Sequence, residues 1–270
     1  MLKLKENIKK EESIGDVLRF WRQLKRISQM DLALDAGVSS KHLSFVETGK
    51  SQPSRDLVLK LAQSLNVPLR HRNVFLRAAG FASEFDEEPF DGQKMGIVRQ
   101  ALTRMIKMHE PYPALVINTA YKILMTNSGY DQMIKFYLGE NALKKYNNVY
   151  RLTFAEDGLR QYIKDWPAIE HFMLGRLWDE VVSTQNNELF ELYEDILLLR
   201  TGEKPFTFPI DNNLPIMSLT LEKDSMKASF FTTITMLGTP LDLTTQELRM
   251  ESLFPTDEET KRLFLFKDQK

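Results

Sequence analysis

The sequence predicts two domains of different class: a small all-α domain of five short helices, then a larger α+β domain with an antiparallel sheet. Three observations carry this. The 270 residues exceed one average domain, and 43% of them are hydrophobic, enough for packed cores. The apolar residues recur at three and four up to residue 80, and β-branched and aromatic runs dominate after Gly202. The charge is split as well. Residues 1–80 hold 15 Lys/Arg against 8 Asp/Glu, a net of +7, and residues 81–270 hold 21 against 29, a net of −8. A basic part on an acidic remainder suggests that one end meets a polyanion.

The first domain is expected over residues 13–80. Ser13 and Asp16 have capping-box spacing and open a helix carrying Val17, Leu18, Trp21 and Leu24. Ser28 and Asp31 open a second, with Leu32, Ala33 and Ala36, which Gly37 ends. Ser39 caps a third over about 40–47, ended by Gly49. Pro53 and Ser54 start a fourth, whose buried stripe is Leu57, Val58, Leu61 and Leu65. Pro68 starts a fifth, with Val74, Phe75 and Ala78 inward, and Gly80 stops it.

Residues 28–49 are two short helices joined by Ala36-Gly37-Val38-Ser39: Ala permits close packing, Gly the turn, and Val anchors it from below. In the second helix Leu43 and Val46 face the core. Ser40, Lys41, Ser44, Phe45 and Thr48 fall on the opposite side. Such a helix suits a major groove, where Lys bonds guanine and Phe presses on a thymine methyl. Gln29, at a helix start, can bond a phosphate or a base edge. Glu47 reads as an internal ion-pair partner, since phosphates repel a carboxylate. Phe45 can equally pack on a neighbouring helix, and Lys50 can be a plain surface lysine.

The run LRFWRQLKRISQMDLALDAGVSSKHLSFVETGKSQPSRDLVLKLAQSLNVPLRHRNVFLRAAGF resembles the Cro/C1-type, or XRE-family, helix-turn-helix regulators. The resemblance implies a lambda-repressor-like five-helix fold and sequence-specific binding of double-stranded DNA as a homodimer. It places base reading at Gln29, Ser40, Lys41 and Phe45, and backbone contacts at Thr48, Lys50 and Arg55. His42, early in the same helix, is a further candidate for the backbone.

Residues 81–95 read as an acidic linker, whose charge would keep it off DNA. The second domain is expected over 96–266. A helix at 97–109 is stopped by Pro111 and Pro113. Strands at 114–118 and 122–126 flank a turn, and Asn127 or Ser128 caps a helix to about Tyr137. Residues 147–154 read as irregular. Residues 158–200 read as mostly helical, with one stripe of Trp166, Ile169, Phe172, Met173 and Leu177 and another of Leu189, Leu192, Ile196 and Leu199. Strands follow at 206–210, 216–222 and 228–237. Residues 247–254 make a last strand or a short helix, and 257–266 a final helix. The pattern predicts a sheet with helices on one face, a good frame for a small-molecule pocket.

The tail FFTTITMLGTPLDLTTQELRMESLFPTDEET, with HEPYPALVINTAYKILMTNSGY and NNVYRLTFAEDGLRQYIKDW before it, resembles the MmyB-like ligand-binding domain over roughly 95–265. That resemblance implies a PAS-like fold and an apolar pocket for a fatty acid or similar lipid-like molecule. Tyr121 stands where the family's strand-opening Trp would be. Candidate pocket residues, all of types that serve equally as plain core, are Phe136, Leu174, Trp178, Phe206, Phe208, Met217, Phe231 and Met236.

Other classes find little support. The chain has no cysteine, which excludes disulfides and thiolate metal sites, and its four histidines are scattered. The start is charged without a signal-type apolar core, and no run approaches a membrane span. The expectation is a cytoplasmic protein. There is no nucleophile elbow, Walker loop or dinucleotide fingerprint, and no enzyme is predicted. The competing reading keeps the DNA-binding domain but makes the second domain a protein-interaction or dimerisation module without a ligand.

Overall fold

The computed structural model describes residues 13–200, 218–238 and 240–265. The chain divides into two compact units, one running to Glu88 and including Leu241–Leu243, the other formed by Pro89–Pro240 and the chain from Thr244 on. Each is described by itself.

The first unit is helical: α1 (Ile14–Leu24), α2 (Gln29–Asp35), α3 (Ser40–Glu47), α4 (Arg55–Ser64) and α5 (Leu69–Ala78). Serines start four of them. Ser13, Ser28, Ser39 and Ser54 each accept, through the side chain, the backbone N–H three residues on. Each satisfies a donor that has no partner within the helix, worth about 1 kcal/mol. Gly37, at φ +70°, makes the turn between α2 and α3 that a Cβ would strain. Leu18, Trp21, Leu32, Ala33, Leu43, Val46, Val58 and Leu61 meet in one core. On α5 the inward residues are Phe75 and Leu76, while Val74 and Ala78 are half-buried.

The acidic stretch after α5 does not leave this unit at once. Buried Asn73 donates to the Phe85 carbonyl (2.7 Å) and accepts from the Glu84 and Phe85 N–H groups (3.0 and 3.1 Å). Glu87 takes both terminal nitrogens of Arg70, and Arg55 pairs with Glu84.

The second unit is α+β. In chain order come α6 (Gly96–Met108), β1 (Ala114–Ile117), β2 (Ile123–Thr126), α7 (Ser128–Leu138), α8 (Ala142–Lys145), α9 (Val149–Phe154), α10 (Trp166–Thr184) and α11 (Asn187–Leu198). Then follow β3 (Leu219–Lys223), β4 (Met226–Met236), α12 (Leu243–Glu247), β5 (Arg249–Pro255) and α13 (Glu258–Leu265). The strands form one antiparallel sheet in the order β2-β1-β5-β4-β3. The early hairpin and the late meander are thus a single sheet, joined where β1 pairs with β5.

Three expectations are corrected. The sheet is covered on both faces: Leu115 and Ile117 enter the core built with α7, α9, α10 and α11, whereas Ala114, Val116 and Met250 pack with Leu102 and Ile106 of α6. A β1 buried at all four positions follows from this, and explains why Ala-Leu-Val-Ile does not alternate. Residues 149–154 are helix, not irregular. Asn148 caps them by accepting from the Tyr150 and Arg151 N–H groups, and Tyr150, Leu152 and Phe154 are buried. The buried stripe of α10 is Ile169, Leu174, Leu177 and Val181, with Phe172 turned partly outward. The strand expected at 206–210 lies outside the described residues.

Candidate functional site

The first site is the outer face of α3. Leu43, Val46 and Glu47 bury the inner side, which fixes which residues point out. Ser40, Lys41, Phe45, Thr48 and Lys50 are all exposed, and His42 is half-buried. The Phe45 ring, 38% exposed, is not packed under a neighbouring helix. It lies between two ammonium groups, Lys41 Nζ at 5.7 Å and Lys50 Nζ at 5.9 Å from its centroid. The result is an apolar tip framed by two cations, chemistry suited to a base methyl flanked by phosphates. The Thr48 hydroxyl donates to the Ser44 carbonyl (2.8 Å), keeping its lone pairs for an incoming donor.

A buried network holds α3 in place. The Glu47 carboxylate accepts from Arg22 Nε (2.6 Å) and Nη2 (3.0 Å) and from Gln29 Nε2 (2.6 Å). Burial pushes this carboxyl up, but the hydrogen bonds from Arg22 and Gln29 and the nearby arginine charges outweigh it, and it sits below the ordinary glutamate range. Gln29, half-buried, therefore spends an amide N–H on Glu47 inside the protein. Arg19 adds a bond to the Glu47 backbone carbonyl (2.7 Å). Neither Arg22 nor Arg19 stands out in the sequence, because their partner is more than twenty residues away. Arg55 is exposed and engaged with Glu84.

The second site is less concentrated. Of the pocket candidates, Phe206, Phe208 and Met217 lie outside the described residues. Leu174 is core. Phe136 lies under Lys223 Nζ (5.1 Å to the centroid), and Trp178 packs against Tyr193 (5.0 Å between rings). Phe231 stacks on Phe254 (5.3 Å). Met236, five positions further along β4, projects to the opposite face and is 58% exposed. Leu174, Phe136 and Trp178 thus share one core, while Phe231 and Met236 project to opposite faces of β4. Two surface grooves of about 610 and 510 Å³ are lined by other residues, Arg99, Arg104 and Met125 among the first, Lys122, Arg151 and Glu191 among the second.

A charged cluster lies at the end of the sheet where β1 turns into β2. Tyr121, at φ +60° and 1% exposed, donates its hydroxyl to Glu180 Oε1 (2.6 Å). Arg249 Nη1 donates to Glu180 Oε2 (2.7 Å), and both Arg249 and Arg176 sit over the Tyr121 ring. Burial, and then Glu180, push the Tyr121 hydroxyl up against the pull of Arg176, so it stays a donor. Composition gave no sign of this cluster.

A two-helix reader with a cation-framed aromatic tip defines the first unit as a DNA-binding domain of the helix-turn-helix class. Comparison with known families agrees: a helix-turn-helix family model matches residues 18–71, and the MmyB-like transcription regulator ligand binding domain matches residues 98–201. The second match ends before β3. No curated protein matches the chain. The two families together are those of a ligand-responsive transcription regulator, and both are regulatory rather than catalytic. No helix among the described residues is long and apolar enough to cross a membrane.

Proposed function

We propose that this chain is a sequence-specific transcription regulator that binds a two-fold DNA site as a homodimer and whose affinity for it is set by a small apolar, fatty-acid-like ligand. The observation that carries the DNA half is the exposed set of Lys41 and Phe45 on α3 and Lys50 just past its end, the helix's inner side being fixed by the Glu47–Arg22 pair. Ser40 and Lys41 take the first turn toward base edges, with Gln29 beside them, and Phe45 takes a thymine methyl. Thr48, Lys50, Arg55 and His42 take the backbone. The domains are placed at 13–80 and 96–266, the latter with a PAS-like interior, separated by the stretch 81–95.

The ligand acts by linkage: it shifts operator affinity only as far as it binds one dimer geometry better than the other. The test uses a site recovered by selection from random DNA. Lys41→Ala is expected to relax preference at one base position, costing about 1–3 kcal/mol there. Lys50→Ala is expected to weaken all sequences alike and to lower the salt slope by about one. Both variants binding selected and random DNA like the parent sinks this placement of α3.

A second reading, a protein-interaction module in place of a sensor, draws on Ile97 and Met108 of α6, 82% and 85% exposed. Native mass spectrometry separates the two: a dimer carrying a lipid-sized mass supports the sensor, and an empty chain that retains a protein partner supports the module.

A further inference from the structure

The acidic stretch that follows α5 is fastened to the helical unit at several points. Residues 83–88 carry four carboxylates, Glu84, Asp86, Glu87 and Glu88, and no cation. Asn73 of α5, 6% exposed, pins their backbone through hydrogen bonds to residues 84 and 85. An arginine ties each end. Arg77 Nη1 donates to the Ser83 hydroxyl (3.1 Å), and Arg70 grips both oxygens of Glu87 (2.7 and 3.0 Å). Between these ties Glu84 takes Arg55, the first residue of α4. A surface ion pair is weak by itself, because two long side chains must be held together. Here the backbone beneath the carboxylate is fixed, so Glu84 returns to Arg55 whenever the pair opens.

Arg55 is also where this stretch meets the proposed DNA site. Among the described residues none of the four carboxylates pairs with Lys41 or Lys50, so the reading face of α3 stays open. A phosphate that reaches Arg55 finds the Glu84 carboxylate on the same guanidinium. It must displace that carboxylate or sit beside it, and like charges a few ångström apart repel. Either course costs affinity. Neither depends on base sequence, because a phosphate contact carries no sequence information.

We infer that residues 83–88 are an autoinhibitory strap: Glu84 competes with DNA phosphate for Arg55, and the chain binds every DNA sequence less tightly than its basic face allows. This rests on the reading that Arg55 meets the DNA backbone, and adds what restrains that contact. Asn73, Arg70 and Arg77 position the strap, and Glu84 acts on the contact.

The test is fluorescence anisotropy of the full chain with two labelled duplexes of equal length, the selected site and a random sequence. Glu84→Gln removes the competing charge and keeps the size of the side chain. It is expected to tighten binding to both duplexes alike, by about two- to fivefold, the range of a surface ion pair. Asp86→Asn makes the same change of charge two residues along the strap, at an exposed carboxylate that pairs with no arginine among the described residues. It should stay within about 1.5-fold of the parent, as a screened charge does. Arg55→Ala should cost more in the Glu84→Gln chain than in the parent, by about two- to fivefold, since only there is the guanidinium fully available. No gain from Glu84→Gln, or a gain matched by Asp86→Asn, overturns the strap. An equal cost of Arg55→Ala in both backgrounds also overturns it, while leaving Arg55 as a backbone contact. If Arg55→Ala costs nothing in either background, the strap and the Arg55 contact fall together, and the placement of α3 still stands on Lys41 and Lys50.

Discussion

Replacing Glu47 by Ala removes the carboxylate that ties α3 to α1 and α2. Glu47 is 3% exposed and accepts three side-chain hydrogen bonds, two of them from Arg22, whose side chain is itself only 15% exposed. The variant leaves that guanidinium with the Ile27 carbonyl (3.1 Å) as its remaining partner. Breaking a fully buried pair from one side costs about 3–5 kcal/mol, because the other charge stays behind. Arg22 keeps Ile27 and some water, so the low end applies, about 3 kcal/mol. At about 1.4 kcal/mol per decade, that is roughly a hundredfold rise in the opening equilibrium of the helical unit. Hydrogen exchange on the full chain, read over peptides covering α1 and α3, reports it directly. Glu47→Gln retains an acceptor for Arg22 without the charge and should recover about half the loss in free energy. Amides of α1 and α3 that exchange at the parent rate in Glu47→Ala, within about threefold, would show that the network is ornamental to stability and that apolar packing alone orients the reading helix.

Two more perturbations test the same unit. Gly15→Ala should be favourable by up to about 1 kcal/mol on helix propensity. Yet the added Cβ would lie 2.5 Å from the Glu47 carbonyl oxygen and 2.9 Å from that of Val46, both backbone atoms. The expected outcome is a net destabilisation of about 1–3 kcal/mol in urea melts, and a stabilised variant would refute the close approach of α1 to α3. The acid side of the stability curve follows from Glu47. Its folded value is below its unfolded one, so its contribution is present above the unfolded pKa and is lost as pH falls through the folded one. Hydrogen exchange of α3 should accelerate below the usual carboxylate range in the parent, and Glu47→Gln should flatten that dependence. An unchanged acid limb in the variant assigns it to other groups.

The helical unit is legible in sequence because its signals are local. A serine three residues ahead of a capped N–H, a glycine at a left-handed turn, and apolar residues at three and four all act within one helical turn. What stayed hidden acts at a distance. Gly15 reads as a weak helix residue until Glu47 is known to lie against it. Asn73 sits on α5 like a surface residue, yet it is buried and organises residues 84 and 85. The stretch 147–154 is a different failure. Asn148 as a cap, with Tyr150 and Phe154 four apart and stacked (6.0 Å), was a readable helix signal.

The ligand-binding unit shows why residue type is a poor guide to a pocket. Phe, Trp and Met fill cores and line cavities by the same physics, so picking them yields Leu174 in the core and Phe231 and Met236 on opposite faces of one strand. The informative residues are those that break the pattern of their own element. Arg176 and Glu180 lie half-buried on a helix whose buried residues are apolar but for Glu170, and Arg249 and Glu251 share one face of a strand buried from Met250 to Leu253. Holding one buried and three half-buried charges together costs free energy that packing alone would not demand. Sequences keep such conflicts where a function requires them. Charged residues at i, i+4 on a half-buried helix stripe, matched by i, i+2 on a buried strand, are therefore the feature to search for when a sensor domain hides its site among ordinary apolar residues.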